Sequence, residues 1–265
     1  MMKSDVTLVF ACKENRTYRF LCQDTKVNQS QTIEYNAVIS RDKKWKYSTP
    51  IYLVERSKQQ IYPYVDHPLA EAIGMSATMG QQLRLKISEQ GEIQQLLNIK
   101  EIQEYWQTRL KIQLESQYEG RVIDTMINQL DEVVEEEARF VEKLQKDVFF
   151  NHLCGILPGT YQYKSEGKNY IKHNGKKPQG IGYRYEIDSL ENKGIVIRGV
   201  AAQAKERLAQ LKELWQLEGD KELTYEGIIV GELNEQSEIV KLSSKEVYTY
   251  GSELYRSTSI ALDLC

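Results

Sequence analysis

Residues 89–102 read EQGEIQQLLNIKEI, and residues 235–247 read EQSEIVKLSSKEV. Each phrase follows a strand-like run, LRLKI at 83–87 and GIIVGEL at 227–233, and each leads into an Ile-headed run. A Glu-Gln-Gly/Ser-Glu step between two aliphatic runs is hairpin chemistry, because Gly and small polar residues tolerate the backbone that reverses a strand. The reading therefore places a β-hairpin late in each half of the chain. A helical pattern precedes each hairpin and a set of strands precedes each helix, so the order strands–helix–hairpin occurs twice. A duplicated unit interrupted by a helical insertion explains this order. The alternative is chance agreement among common residues, since the match needs a one-residue gap.

Working outward, the first hundred residues are strand-like. VTLVFAC (6–12), TYRFLC (17–22), TIEYNAVI (32–39) and WKYSTPIYLVE (45–55) are rich in β-branched and aromatic residues and are separated by polar turns. Tyr18, Phe20 and Cys22 alternate with polar neighbours, which buries one sheet face. At 67–80, HPLAEAIGMSATMG starts a short helix at Pro68, with Asp66 or His67 as its cap.

From Ile99 the period changes. Ile102, Trp106, Leu110 and Leu114 lie four residues apart, and a second series after Gly120 runs from Ile123 through Leu130 and Val134 to Leu144 and Val148. Gly costs about 1 kcal/mol inside a helix, so the expectation is a helical hairpin turned at Gly120, with helices 99–117 and 121–153; one continuous helix is the alternative. A later amphipathic helix carries Ala201, Ala204, Leu208, Leu211 and Trp215. Trp106 and Trp215 are expected core anchors.

The fold class that follows is α+β, with curved antiparallel β-sheets (a half-barrel-like unit, duplicated on the first reading), a central helical hairpin and one later amphipathic helix. The expected organisation is an N-terminal β-rich half (1–98), a helical block (99–155) and a C-terminal α+β half (156–265), packed as one globular unit.

The 265 residues carry 35 basic and 38 acidic groups, so no global field draws the chain to nucleic acid or anionic membrane. No apolar run reaches the length of a membrane span. Val6–Cys12 is shaped like a lipidation site, yet the six residues between Asp5 and Cys12 are short of the roughly 7–15 that a signal core needs. The expectation is a soluble cytoplasmic protein with four free thiols; export with lipidation at Cys12 is the alternative.

Candidate chemistry is sparse. His152 and Cys154 stand two apart, a spacing that points helical side chains away from each other. Glu132, Glu135, Glu136 and Glu137 form a run without the Glu-x-x-His step of a carboxylate metal site. No cofactor loop, metal cluster or catalytic motif is found. The one local charge anomaly is KSEGKNYIKHNGKKPQGIG at 164–182, read as a mobile loop or long hairpin tip in which Lys164, Lys168, Lys172, Lys176 and Lys177, with Tyr170 and His173, would grip an acidic partner. The expected function is therefore a non-enzymatic binding or assembly protein acting through protein–protein contacts. The alternative is a carrier that encloses an apolar ligand such as a lipid between sheet and helices. A filled interior with an apolar outer patch favours the first, and an apolar cavity favours the second.

Overall fold

The alternation in the first hundred residues and in the last seventy resolves into one sheet. A computed structural model describes residues 4–12, 14–27, 29–42, 49–63, 67–166, 169–175, 181–191, 194–202 and 205–265. Its strands are β1 (Val6–Leu8), β2 (Arg16–Lys26), β3 (Gln29–Arg41), β4 (Ile51–Arg56), β5 (Gln60–Tyr62), β6 (Gln82–Ile87), β7 (Ile93–Leu96), β8 (Gly159–Lys164), β9 (Asn169–Gly175), β10 (Tyr183–Glu191), β11 (Gly194–Ala201), β12 (Leu223–Leu233), β13 (Ile239–Tyr250) and β14 (Glu253–Leu264). Neighbours run β1-β8-β9-β10-β11-β12-β13-β14-β2-β3-β4-β6-β7, all antiparallel, with β5 beside β3. The two halves of the chain meet in the middle of this open sheet, where β14 pairs β2 with Ile260 opposite Cys22 and Leu262 opposite Phe20.

The helices lie mainly in the connection from β7 to β8, that is, between the two ends of the sheet. They are α1 (Pro68–Ser76), α2 (Ile99–Tyr105), α3 (Lys111–Gln117), α4 (Arg121–Glu135), α5 (Glu137–Lys146), α6 (Val148–Phe150) and α7 (Lys205–Leu214). His67 caps α1 by accepting the Leu69 N–H on Nδ1. A π-helical turn, Trp106–Leu110, joins α2 to α3 and buries both of its end residues. Trp106 is fully buried and donates from Nε1 to Asp131 at 2.7 Å, and Asp131 also accepts from Lys111 at 2.7 Å.

The turn at Gly120 (φ 117°) is present, so the helical hairpin forms. The second arm is not one helix over 121–153. It breaks at Glu136 and again at Asp147, both extended. An unbroken helix would carry Val134 on to Val141 along one face; the break instead turns Phe140 and Leu144 inward. Gln103 satisfies the α4 end by donating to the carbonyls of Val134 and Glu135. Beyond Asp147 the chain enters the sheet's concave side, where Phe149, Phe150, Leu153, Ile156 and Leu157 are all buried. Phe149 packs edge-on to Phe20 with ring centres 5.7 Å apart.

Two further expectations are refined. Of the loop and hairpin readings of the basic segment, the described residues show strand pairing: Asn169–Gly175 pairs as β9 between β8 and β10. The late helix begins at Lys205, and Ala201 belongs to β11. The free edge of β7 is covered by the helical block: the Leu96 N–H donates to Glu137 Oε1 at 3.1 Å, and the Ile93 carbonyl accepts from Gln145 Nε2 at 2.9 Å.

The repeated phrase forms the same turn twice. Ser88 N–H donates to the Glu92 carbonyl and Gly91 N–H back to Ser88; Asn234 N–H donates to Glu238 and Ser237 N–H back to Asn234. In each, the leading side chain (Ser88 Oγ or Asn234 Oδ1) accepts the N–H four residues on, and the fourth residue has positive φ, 78° at Gly91 and 63° at Ser237. The two phrases thus share a turn geometry, carried at its key positions by different residues, Ser88 and Gly91 in one and Asn234 and Ser237 in the other.

Candidate functional site

The first of these turns stands at the seam, where the two ends of the sheet approach one another across the helical block. Gly91 presses so closely on the Cys154 carbonyl that a Cβ would overlap it. Beside this contact lies a cavity of about 260 Å³, walled by Gln90, Glu92, Gln145, Asn151, Cys154 and Lys172.

Lys172 reaches this seam from β9 and turns inward. Its Nζ donates to the carbonyls of Ile156, Leu157 and Pro158 at 2.7, 3.2 and 2.9 Å. It also stands 4.8 Å from the centre of the Tyr185 ring and 5.2 Å from that of Tyr161. Burial pushes Lys172 down to about 8, while three carbonyl acceptors match the three protons of an ammonium. Its charge is spent inside the fold. Of the predicted patch, Lys164 is exposed at the end of β8, and Lys168, Lys176 and Lys177 lie outside the described residues.

His152 and Cys154 are given to different partners. Cys154 donates its thiol proton to the Phe150 carbonyl, and burial pushes it up to about 12, far from a nucleophilic thiolate at neutral pH. His152 sits with Nδ1 2.7 Å from the Val148 carbonyl and Nε2 2.9 Å from Ser244 Oγ. In the glutamate run, Glu135 and Glu136 are exposed and Glu137 caps β7. Among the described residues no three His, Cys, Asp or Glu side chains gather as for a metal ion, and no helix is long and apolar enough to cross a membrane. Val6–Leu8, ahead of Cys12, is paired with β8, and Cys12 itself is buried.

The convex face of the central strands offers a different surface. Ile229, Ser244 and Ile260 point inward, so their neighbours point out. Val230 stands opposite Ser243, Ser243 opposite Ala261 and Ala261 opposite Leu21, one row across four strands. The next row runs Val200, Ile228, Lys245, Ser259 and Gln23. Small Ser and Ala side chains leave a trough of about 310 Å³ between these larger apolar groups. Val200 and Ile228 stay about half exposed, at 50% and 53%. This surface is not among the sites expected from the sequence. Its signal was the run Ile228-Ile229-Val230, which makes both faces of β12 apolar where alternation would leave one polar.

Neither a family model, nor a curated protein, nor a solved structure matches the chain.

Proposed function

We propose that the protein works by binding another protein through the convex trough on β12, β13, β14 and β2. The observation that carries this reading is the pairing of a filled concave side with an uncovered apolar strip. Phe149, Phe150, Leu153, Ile156 and Leu157 occupy the space between sheet and helices that an enclosed lipid would need. The strip that includes Val200, Ile228, Val230, Ala261 and Leu21 remains outside, with Lys245 and Gln23 standing in the row of Ile228 and the charged row Glu232, Lys241, Asp263 and Arg19 along its border. Exposed apolar surface rimmed by polar residues is what a contact face requires. Cytoplasmic residence and the absence of enzymatic activity are part of this proposal.

The test is a photo-crosslinking residue at position 245, irradiated in the host cell. A discrete crosslinked product that disappears when Ile228→Lys is added is the expected result. Crosslinking that is diffuse, or unchanged by Ile228→Lys in a folded variant, overturns the reading.

A further inference from the structure

A groove of about 300 Å³ lies between the end of α1 and the flank of α4 and α5. Its walls are apolar and one end is charged. Met79 and Phe140 are buried, while Met126 and Val133 pack on the core with only part of their surface. At the charged end Arg56, Lys143 and Asp147 line the same space. Arg56 donates from Nε to the Gly80 carbonyl at 2.9 Å and from a terminal nitrogen to Asp147 at 3.2 Å, and its guanidinium lies over the Phe150 ring at 5.2 Å. Only 9% of its side chain is exposed, so the fold fixes it. Asp147 balances one of the two cations, and the exposed Lys143 leaves this end with one positive charge in excess.

We infer that this groove binds a single-chain amphiphile bearing one negative charge, such as a long-chain carboxylate. The alkyl chain lies along Met79, Met126 and Val133, and the head group meets Arg56 and Lys143. Three features select that occupant. The volume is at the small end of ligand sites, about 300–1,000 Å³, which suits one chain rather than the body of a two-chain lipid. Methionine is unbranched and adapts to a flexible chain. The net charge of the polar end is complementary to a monoanion, and a guanidinium already fixed by packing loses little freedom on binding. This site lies apart from the convex trough and does not depend on the function proposed for it.

The test is a titration of the full chain, labelled with ¹³C in its methionine methyl groups, with dodecanoate below its aggregation concentration. The Met79 and Met126 signals should move and saturate together. Dodecyltrimethylammonium, with the same chain and the opposite charge, should move them at least about tenfold less readily, equivalent to 1.4 kcal/mol or more. Lys143→Glu reverses an exposed charge, so the variant should fold, and it should weaken dodecanoate about tenfold. Three results would each overturn the inference: no saturable shift, equal response to the two amphiphiles, or dodecanoate binding that Lys143→Glu leaves intact.

Discussion

The Phe10 N–H donates to the Glu89 carbonyl at 2.7 Å, which ties the segment following β1 to the turn between β6 and β7. These belong to opposite ends of the sheet. The Phe10 ring then packs edge-on to Tyr52 at 5.1 Å. The sheet is open in its ladder, yet a backbone hydrogen bond and an aromatic contact draw its ends together over the helical block.

Lys172 should behave as a structural cation and Lys164 as a solvated one. Removing the ammonium leaves the carbonyls of Ile156, Leu157 and Pro158 without that donor, so Lys172→Met should cost roughly 2–4 kcal/mol. Lys164→Ser should stay within about 0.5 kcal/mol. Urea unfolding of both variants decides the matter, and equal losses would mean that the Lys172 bonds carry no net stability.

The twin turns should respond in opposite directions. Gly91→Ala meets both a positive φ and the Cys154 carbonyl, so it should lose about 3 kcal/mol or more. Ser237 holds its positive φ without glycine, and Ser237→Gly should gain up to about 1 kcal/mol. A Gly91→Ala protein as stable as the parent would show that the turn can withdraw from the helical block.

Trp106 and Trp215 should differ as anchors. Trp106→Ala should cost about 3–5 kcal/mol, and Trp106→Phe about 1–2 kcal/mol through loss of the bond to Asp131. Trp215 is only half-buried, against Tyr255 and Tyr248 at 5.2 and 5.0 Å, so Trp215→Ala should cost about 1–2 kcal/mol. Thermal melts that rank the two alanine variants the other way would reverse the assignment.

Alkaline stability should pass through a maximum. Lys172 loses its proton near 8 in the fold but near its ordinary value of 10.5 when unfolded, so it adds stability as pH rises through that window. Burial raises Cys12 and Cys154 to about 12 and Cys22 to about 11, against an ordinary 9. The unfolded chain therefore releases these protons first. Each thiol withdraws about 1.4 kcal/mol per pH unit above 9 until its folded value is reached. One rising contribution from pH 8 and three falling ones from pH 9 put the maximum between about 8 and 9. Urea midpoints across this range test it; a midpoint that keeps rising to pH 10.5 would contradict the burial of the thiols.

Local chemistry was legible where it is self-contained. The two hairpin turns, the His67 cap, the Gly120 break and the burial of Trp106 each depend on a few adjacent residues, and each is present as expected. The break at Glu136 was hidden because the apolar period continues past it; the packing of Phe140 and the cap that Glu137 gives β7 come from another element. The inward turn of Lys172 is hidden in the sequence because it stands in a Lys- and Gly-rich run, while the acceptors that hold it come from residues 156–158. The convex trough needs the register of four strands, and side-chain alternation tells which face a residue takes, not which strand lies beside it.

The pairing of β14 with β2 also sets an order of events. Leu264 stands opposite Tyr18, so two strands at the centre of the sheet come from segments far apart along the chain. β2 cannot find one of its two neighbours until synthesis has passed the whole helical block and the late strands. Until then the early strands hold an unpaired central edge, rich in aromatic and β-branched side chains, in a crowded cell. The pairing that joins the two halves of the sheet therefore waits until β14 has been made, and a chain interrupted before it would expose at its centre the edge that the finished protein hides.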